Sequence, residues 1–176
     1  TPLYSSAASD VYKRQSLGYT QAKTYFIVTA FVMGNILLPQ LVHTIPQGGF
    51  IFLPIYFFTL IAAYKYGWKA GLLTAILSPI INYLAFNMPP LAVLPSILVK
   101  SVFLALTAAL TASNLKRISI PILTGVVTAY QVFGTFAEWI LTGNFFTAVQ
   151  DFRLGIPGML LQIFGGYFII SYLLRK

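Results

Sequence analysis

The chain of 176 residues is 58% hydrophobic and only 8% charged, carries a net charge of +8, and has no cysteine and a single histidine. Soluble domains carry about 25% charged residues, so this composition excludes a water-coated globular protein, and the missing cysteines exclude disulfides, thiolate metal sites and thiol nucleophiles. The basic residues stand singly or in pairs at the ends of apolar runs, which is a topology signal rather than a nucleic-acid surface, so no nucleic-acid partner is expected.

Residues 1–15 are set aside from the fold. Their "DVYKRQ" (Asp10 to Gln15) back-translates as GAT GTG TAT AAG AGA CAG, a transposon-end adapter of sequencing libraries, and reads as a non-native assembly scar. Without Asp10, Lys13 and Arg14 the net charge is +7.

Residues 16–176 read as one all-α membrane domain, a bundle of six transmembrane helices in the lipid bilayer. The six apolar segments run from Ala22 to Val42, Phe50 to Tyr66, Trp68 to Phe86, Leu91 to Ala112, Ile118 to Leu141 and Leu154 to Leu174. Each is long enough, or nearly so, to cross about 30 Å of hydrocarbon. The breaks "HTIPQGG", "KYGWK", "NMPP", "SNLKR" and "TGN" carry turn chemistry. The corner Tyr66-Gly67 predicts a tight helical hairpin between the second and third segments. After the fifth, "NFFTAVQDFR" (Asn144 to Arg153) mixes polar and aromatic residues and predicts a short helix or lid along the membrane surface, or an ordinary interfacial connector.

With six spans, Lys23, Lys65, Lys69, Lys116, Arg117, Arg175 and Lys176 fall on one side, and Arg153 alone on the other. The positive-inside rule then places both termini in the cytoplasm (N-in/C-in).

Polar residues inside the spans converge. Gln131, Thr135, Glu138 and Thr142 share one face of the fifth helix at helical spacing. Ser96, Lys100, Thr107 and Thr111 form a stripe on the fourth. Thr74, Ser78 and Asn82 form one on the third, extended by Gly67 and Gly71. Gln162 stands among Gly158, Gly165 and Gly166 on the sixth, and the first helix adds Asn35. Lys100 lies nine residues below the outer end of its segment, roughly 13 Å at 1.5 Å per residue. A charged residue at such depth faces a bundle interior or a cavity, and its partner is either Glu138 or a bound ligand. Asn82, Lys100, Gln131, Thr135, Glu138 and Gln162 are therefore the candidate substrate-binding residues. Trp139 joins them because it and Tyr83, Tyr130, Phe133 and Phe136 lie near the same level, and aromatic walls with few polar groups suit a flat heterocycle. His43 belongs to the outer loop. One histidine without neighbouring carboxylates is a poor metal site, and neither metal nor cofactor is expected.

No G-x-x-x-x-G-K-[ST], H-E-x-x-H or G-x-S-x-G occurs. Outside the first fifteen residues the carboxylates are Glu138 and Asp151 alone, which leaves acid–base catalysis almost no residues to draw on. A binding or transport protein, not an enzyme, is expected.

The stretch "GGFIFLPIYFFTLIAAYKYGWKAGLLTAILSPIIN", with Pro54 early in the second helix and Gly67 and Gly71 at the corner into the third, resembles the substrate-binding S components of energy-coupling factor (ECF) transporters. The similarity in pattern, size and topology covers about Ala22 to Leu174. It implies a prokaryotic cell-membrane subunit that captures a small water-soluble vitamin or related heterocyclic micronutrient from outside. It implies partnership with a transmembrane coupling subunit and two ATPase subunits, which would hydrolyse the ATP. It also implies a site in the outer halves of the fourth to sixth helices, and a coupling face of small residues on the first helix. That face corresponds here to Ala30 and Gly34 in "AFVMG", with glycine in place of the family's second alanine. A stand-alone oligomeric small-molecule transporter and a non-transport membrane scaffold are the competing readings. The first commonly shows an internal repeat, and none is evident here. The second does not require polar groups aimed at one outer cavity.

Overall fold

The computed structural model describes residues 16–175; the segment set aside above and Lys176 lie outside the described residues. Helices form α1 (Ala22–Val42), α2 (Gly48–Phe52), α3 (Phe57–Tyr66), α4 (Trp68–Phe86), α5 (Leu94–Leu115), α6 (Ile120–Thr142), α7 (Phe145–Ala148), α8 (Gln150–Leu154), α9 (Ile156–Leu160) and α10 (Gly166–Arg175). A 3₁₀ turn, Pro54–Tyr56, precedes α3, and a π-helical stretch, Leu161–Gly165, joins α9 to α10. Among the described residues there is no strand, and five helical stretches are long and apolar enough to cross a membrane: α1, α4, α5, α6 and the continuous run Ile156–Arg175.

The second predicted segment departs from expectation. It is not one helix. The backbone of Leu53 turns left-handed (φ 46°, ψ 47°), and α3 keeps ten residues, about 15 Å of rise. The reason lies in Pro54, whose ring disfavours helical geometry in the residue before it. "FFTLIAAYKY" is apolar nearly all round, the pattern of a helix buried on every side. Leu60, Ile61, Ala62, Ala63 and Tyr64 are indeed wholly buried, and α1, α4, α5 and α10 pack around them. A helix of only ten residues thus forms the core of the bundle. At the Gly67 corner α4 approaches α3 so closely that a Cβ on Gly71 would stand 2.5 Å from that of Ala63.

The other elements obey local rules. Ser119 caps α6, accepting from the Ile122 N–H at 3.4 Å, with Pro121 in the first turn where its missing N–H is harmless. Gly143 (φ 65°) ends α6 as an αL cap. Asn144 starts α7 by accepting from the Thr147 N–H at 3.2 Å.

The surface is apolar and the interior holds amides. Phe26 is 79% and Phe168 77% exposed, whereas Asn35, Gln131 and Gln162 are fully buried. Water would penalise that distribution and hydrocarbon favours it; the chain is a multi-pass membrane protein. Asn35 links three helices: its Nδ2 donates to Thr59 Oγ1 and Ser78 Oγ, both at 3.1 Å, and its Oδ1 accepts from the Phe58 N–H at 3.2 Å.

One end of the bundle gathers the basic residues. The Leu17 N–H donates to Tyr66 O at 3.1 Å, Tyr64 Oη–H to Arg117 O at 2.7 Å, and Lys65 Nζ to Leu173 O at 2.7 Å. Lys69 Nζ lies 5.2 Å from the Tyr19 ring centre. These contacts bring the start of α1, the α3–α4 corner, the α5–α6 turn and the end of α10 together. Arg153 lies on α8, which makes none of these contacts.

Candidate functional site

The end of the bundle opposite the basic residues contains a cavity of about 460 Å³. Its walls come from the end of α1, α2, the turn at Leu53 to Tyr56, the end of α4, the start of α5, and from α6 to α8. Pro39, Pro54, Pro89 and Pro90 line it; their fixed φ angles stiffen the wall.

Lys100 enters from α5, six residues past its start, about 9 Å along the axis. It is 2% exposed. Its Nζ forms an ion pair with Glu138 Oε2 of α6 and a second one, at 2.7 Å, with Asp151 Oδ2 of α8. The sequence left Lys100 with Glu138 or a ligand as partner; the structure gives it two carboxylates, and all three residues line the cavity. Gly134 makes room for this. A Cβ there would lie 2.5 Å from Lys100 Cγ, so the lysine stem runs across α6 where a side chain is missing.

Asn82 also lines the cavity. Its Nδ2 donates to Asn35 O at 2.9 Å and Ser78 O at 3.1 Å, while its buried Oδ1 has no hydrogen-bond partner. Tyr56 contributes a wall, its ring centre 5.6 Å from that of Tyr130. Tyr130 in turn donates to Gln162 Oε1 at 2.9 Å. Gln162 sits in the π-helical stretch, a distortion common at functional sites, but it is not among the lining residues. Neither Gln131 nor Thr135 is among the lining residues; both are buried, without hydrogen-bond partners for the Gln131 amide or the Thr135 hydroxyl.

Trp139 lies elsewhere. It is 44% exposed and meets Phe136 and Phe145 edge-on at 6.3 and 5.4 Å. Phe133 and Phe136 are exposed as well, so the aromatic level of α6 faces outward. The aromatic residues along the cavity are Phe50 and Tyr56. His43 lines the rim. Of the first-helix pair, Ala30 is exposed, but Gly34 packs inward, where a Cβ would stand 2.7 Å from the Phe58 ring.

Asp151 is the residue the sequence did not single out. It is one of two carboxylates outside the first fifteen residues, and that scarcity was the available signal. Among the described residues no cluster of three His, Asp or Glu side chains is arranged to hold a metal ion. No family model, no curated protein and no solved structure matches the chain.

Proposed function

We propose that the chain is the substrate-binding membrane subunit of an ECF-type importer. In this reading it captures a small water-soluble organic molecule, a vitamin or related heterocycle, from outside a prokaryotic cell. A coupling subunit and two ATPase subunits then drive its uptake. The observation that carries the reading is the cavity of about 460 Å³ with Asn82, Lys100, Glu138 and Asp151 in its wall. The volume falls in the range of small-molecule sites, and a mostly apolar wall with a few convergent polar groups is how such sites are built.

The orientation belongs to the same proposal. Gly48 to Tyr66, though broken at Leu53, is read as the second of six crossings. The basic end then faces the cytoplasm with both termini, and the cavity opens outward, as capture from outside requires. The chain itself is read as having no catalytic activity.

The test is purification in detergent, mass spectrometry of released small molecules, and reconstitution with an ECF coupling subunit and ATPase pair. ATP-dependent accumulation of the released molecule in vesicles is the expected result. Accumulation without the ATPases would identify a stand-alone transporter. A protein that neither retains nor moves a small molecule would be a scaffold.

A further inference from the structure

We propose that the cavity takes an organic cation, an apolar body bearing one ammonium- or amidinium-like group. The inference rests on reading this cavity as a small-molecule site and adds the charge of its occupant.

Charge balance comes first. The titratable side chains lining the cavity are His43, Tyr56, Lys100, Glu138 and Asp151. Tyr56 carries no charge at pH 7, and His43 takes no part in the Lys100 ion pairs. One lysine against two carboxylates leaves one negative charge. Arg153 does not offset it, because it is exposed on α8 and is not among the lining residues. A partly buried carboxylate left without a full counter-charge is unfavourable, and a ligand of opposite charge removes the imbalance.

Hydrogen-bonding capacity points the same way. Lys100 directs two of its three N–H donors at Glu138 Oε2 and Asp151 Oδ2, which leaves the second oxygen of each carboxylate for another donor. Asn82 cannot turn its amide round, because Nδ2 already donates to two backbone carbonyls and a flip would set oxygen against oxygen. Its Oδ1 is therefore held as an acceptor; the residue is 1% exposed and that atom has no partner. What the site lacks is N–H donors carrying positive charge. The rest of the wall, including Phe50, Leu53, Pro54, Ile55, Met88 and Ile97, is apolar and suits a carbon skeleton rather than a hydrated metal ion.

Benzamidinium, benzamide and benzoate share a shape and differ in charge, so they test the inference without knowledge of the native ligand. Thermal unfolding of the detergent-purified protein with each compound at millimolar concentration gives the readout. Benzamidinium is expected to raise the midpoint, with binding at least about tenfold tighter than either of the others. Asp151→Asn removes the excess charge with little change in size and should weaken benzamidinium binding at least about tenfold. Glu138→Gln removes the same charge from the other side of Lys100 and serves as the second variant should Asp151→Asn not yield folded protein. Unchanged benzamidinium affinity in the folded variant overturns the assignment. If benzamide or benzoate binds better, the small-molecule site stands and its cationic preference falls. If none of the three binds, both fall.

Discussion

Lys100 Nζ lies 2.7 Å from Asp151 Oδ2, across 51 positions of sequence, and the contact fastens a short surface helix to the buried face of α5. Because Lys100 also holds Glu138, one ammonium joins three elements. Loss of the different members should therefore have unequal effects.

Lys100→Met strands two carboxylates beside each other, and removing one partner of a buried pair costs about 3–5 kcal/mol. Asp151→Asn leaves Lys100 and Glu138 as a balanced pair and should change stability by less than about 1 kcal/mol. Chemical denaturation in detergent would measure both. Equal losses would show that Asp151 matters to the fold as much as the lysine does.

Gly134 should tolerate no side chain. The Cβ of Gly134→Ala would meet Lys100 Cγ at 2.5 Å and push the stem off α6, with an expected loss of about 1–3 kcal/mol, as for other overpacked sites. Gly125 lies on the same helix with nothing within 4 Å of its Cβ position. Gly125→Ala should be neutral or stabilising by up to about 1 kcal/mol through helix propensity. Melting curves of the two variants side by side decide it, and equal behaviour would dismiss the packing argument.

Much of this was legible in the sequence. The helices Ala22–Val42 and Trp68–Phe86 have their expected bounds, because turn residues flank two largely apolar runs. The polar face of α6 was legible too: Gln131, Thr135 and Glu138 are all buried, as helical spacing requires. Trp139 was not. It follows Glu138 directly, and successive residues of a helix point about 100° apart, so nearness in level did not mean nearness in space. The break at Leu53 was marked by Pro54, but a count of apolar residues passes over it. The place of Asp151 in the site was not legible, because the orientation of a five-residue surface helix has no periodicity to read, and only the tertiary contact with Lys100 reveals that its side chain turns inward.

The proposed orientation can be checked against a clean background, since the chain has no native cysteine. Thr44→Cys and Phe146→Cys at the cavity end should react with an impermeant maleimide added outside intact cells, and Asn114→Cys only after lysis. All three positions are exposed. Gln47 and Asn87 are avoided because both hold positive φ, where cysteine would be strained. The reverse labelling pattern would turn the cavity toward the cytoplasm and end the capture reading.

Ala30 and Gly34 should part company. Ala30 is exposed on α1 beside other exposed apolar residues such as Phe26 and Met33. Ala30→Trp is expected to leave the fold and ligand retention unchanged while abolishing ATP-driven uptake, because bulk prevents close helix approach. Gly34→Trp should instead lower stability by about 1–3 kcal/mol, since the Phe58 ring occupies that space. Full uptake by Ala30→Trp would remove this face of α1 as the docking surface.

The remaining question is why a lysine is kept at this depth. If its task is to bind the three elements together, apolar or neutral replacement of the whole network should serve as well. Buried ion networks often give no more stability than neutral groups of similar shape, although breaking them singly is destabilising. The triple change Lys100→Met, Glu138→Gln and Asp151→Asn leaves no stranded charge and should recover most of the stability lost in Lys100→Met alone. The triple variant should nevertheless bind its co-purified ligand at least about tenfold more weakly, equivalent to 1.4 kcal/mol, because the carboxylates that Lys100 holds at the cavity wall are gone. Stability and ligand affinity measured on the same preparation separate the two roles. A triple variant that is both stable and fully competent in binding would reduce the network to a clamp between α5, α6 and α8.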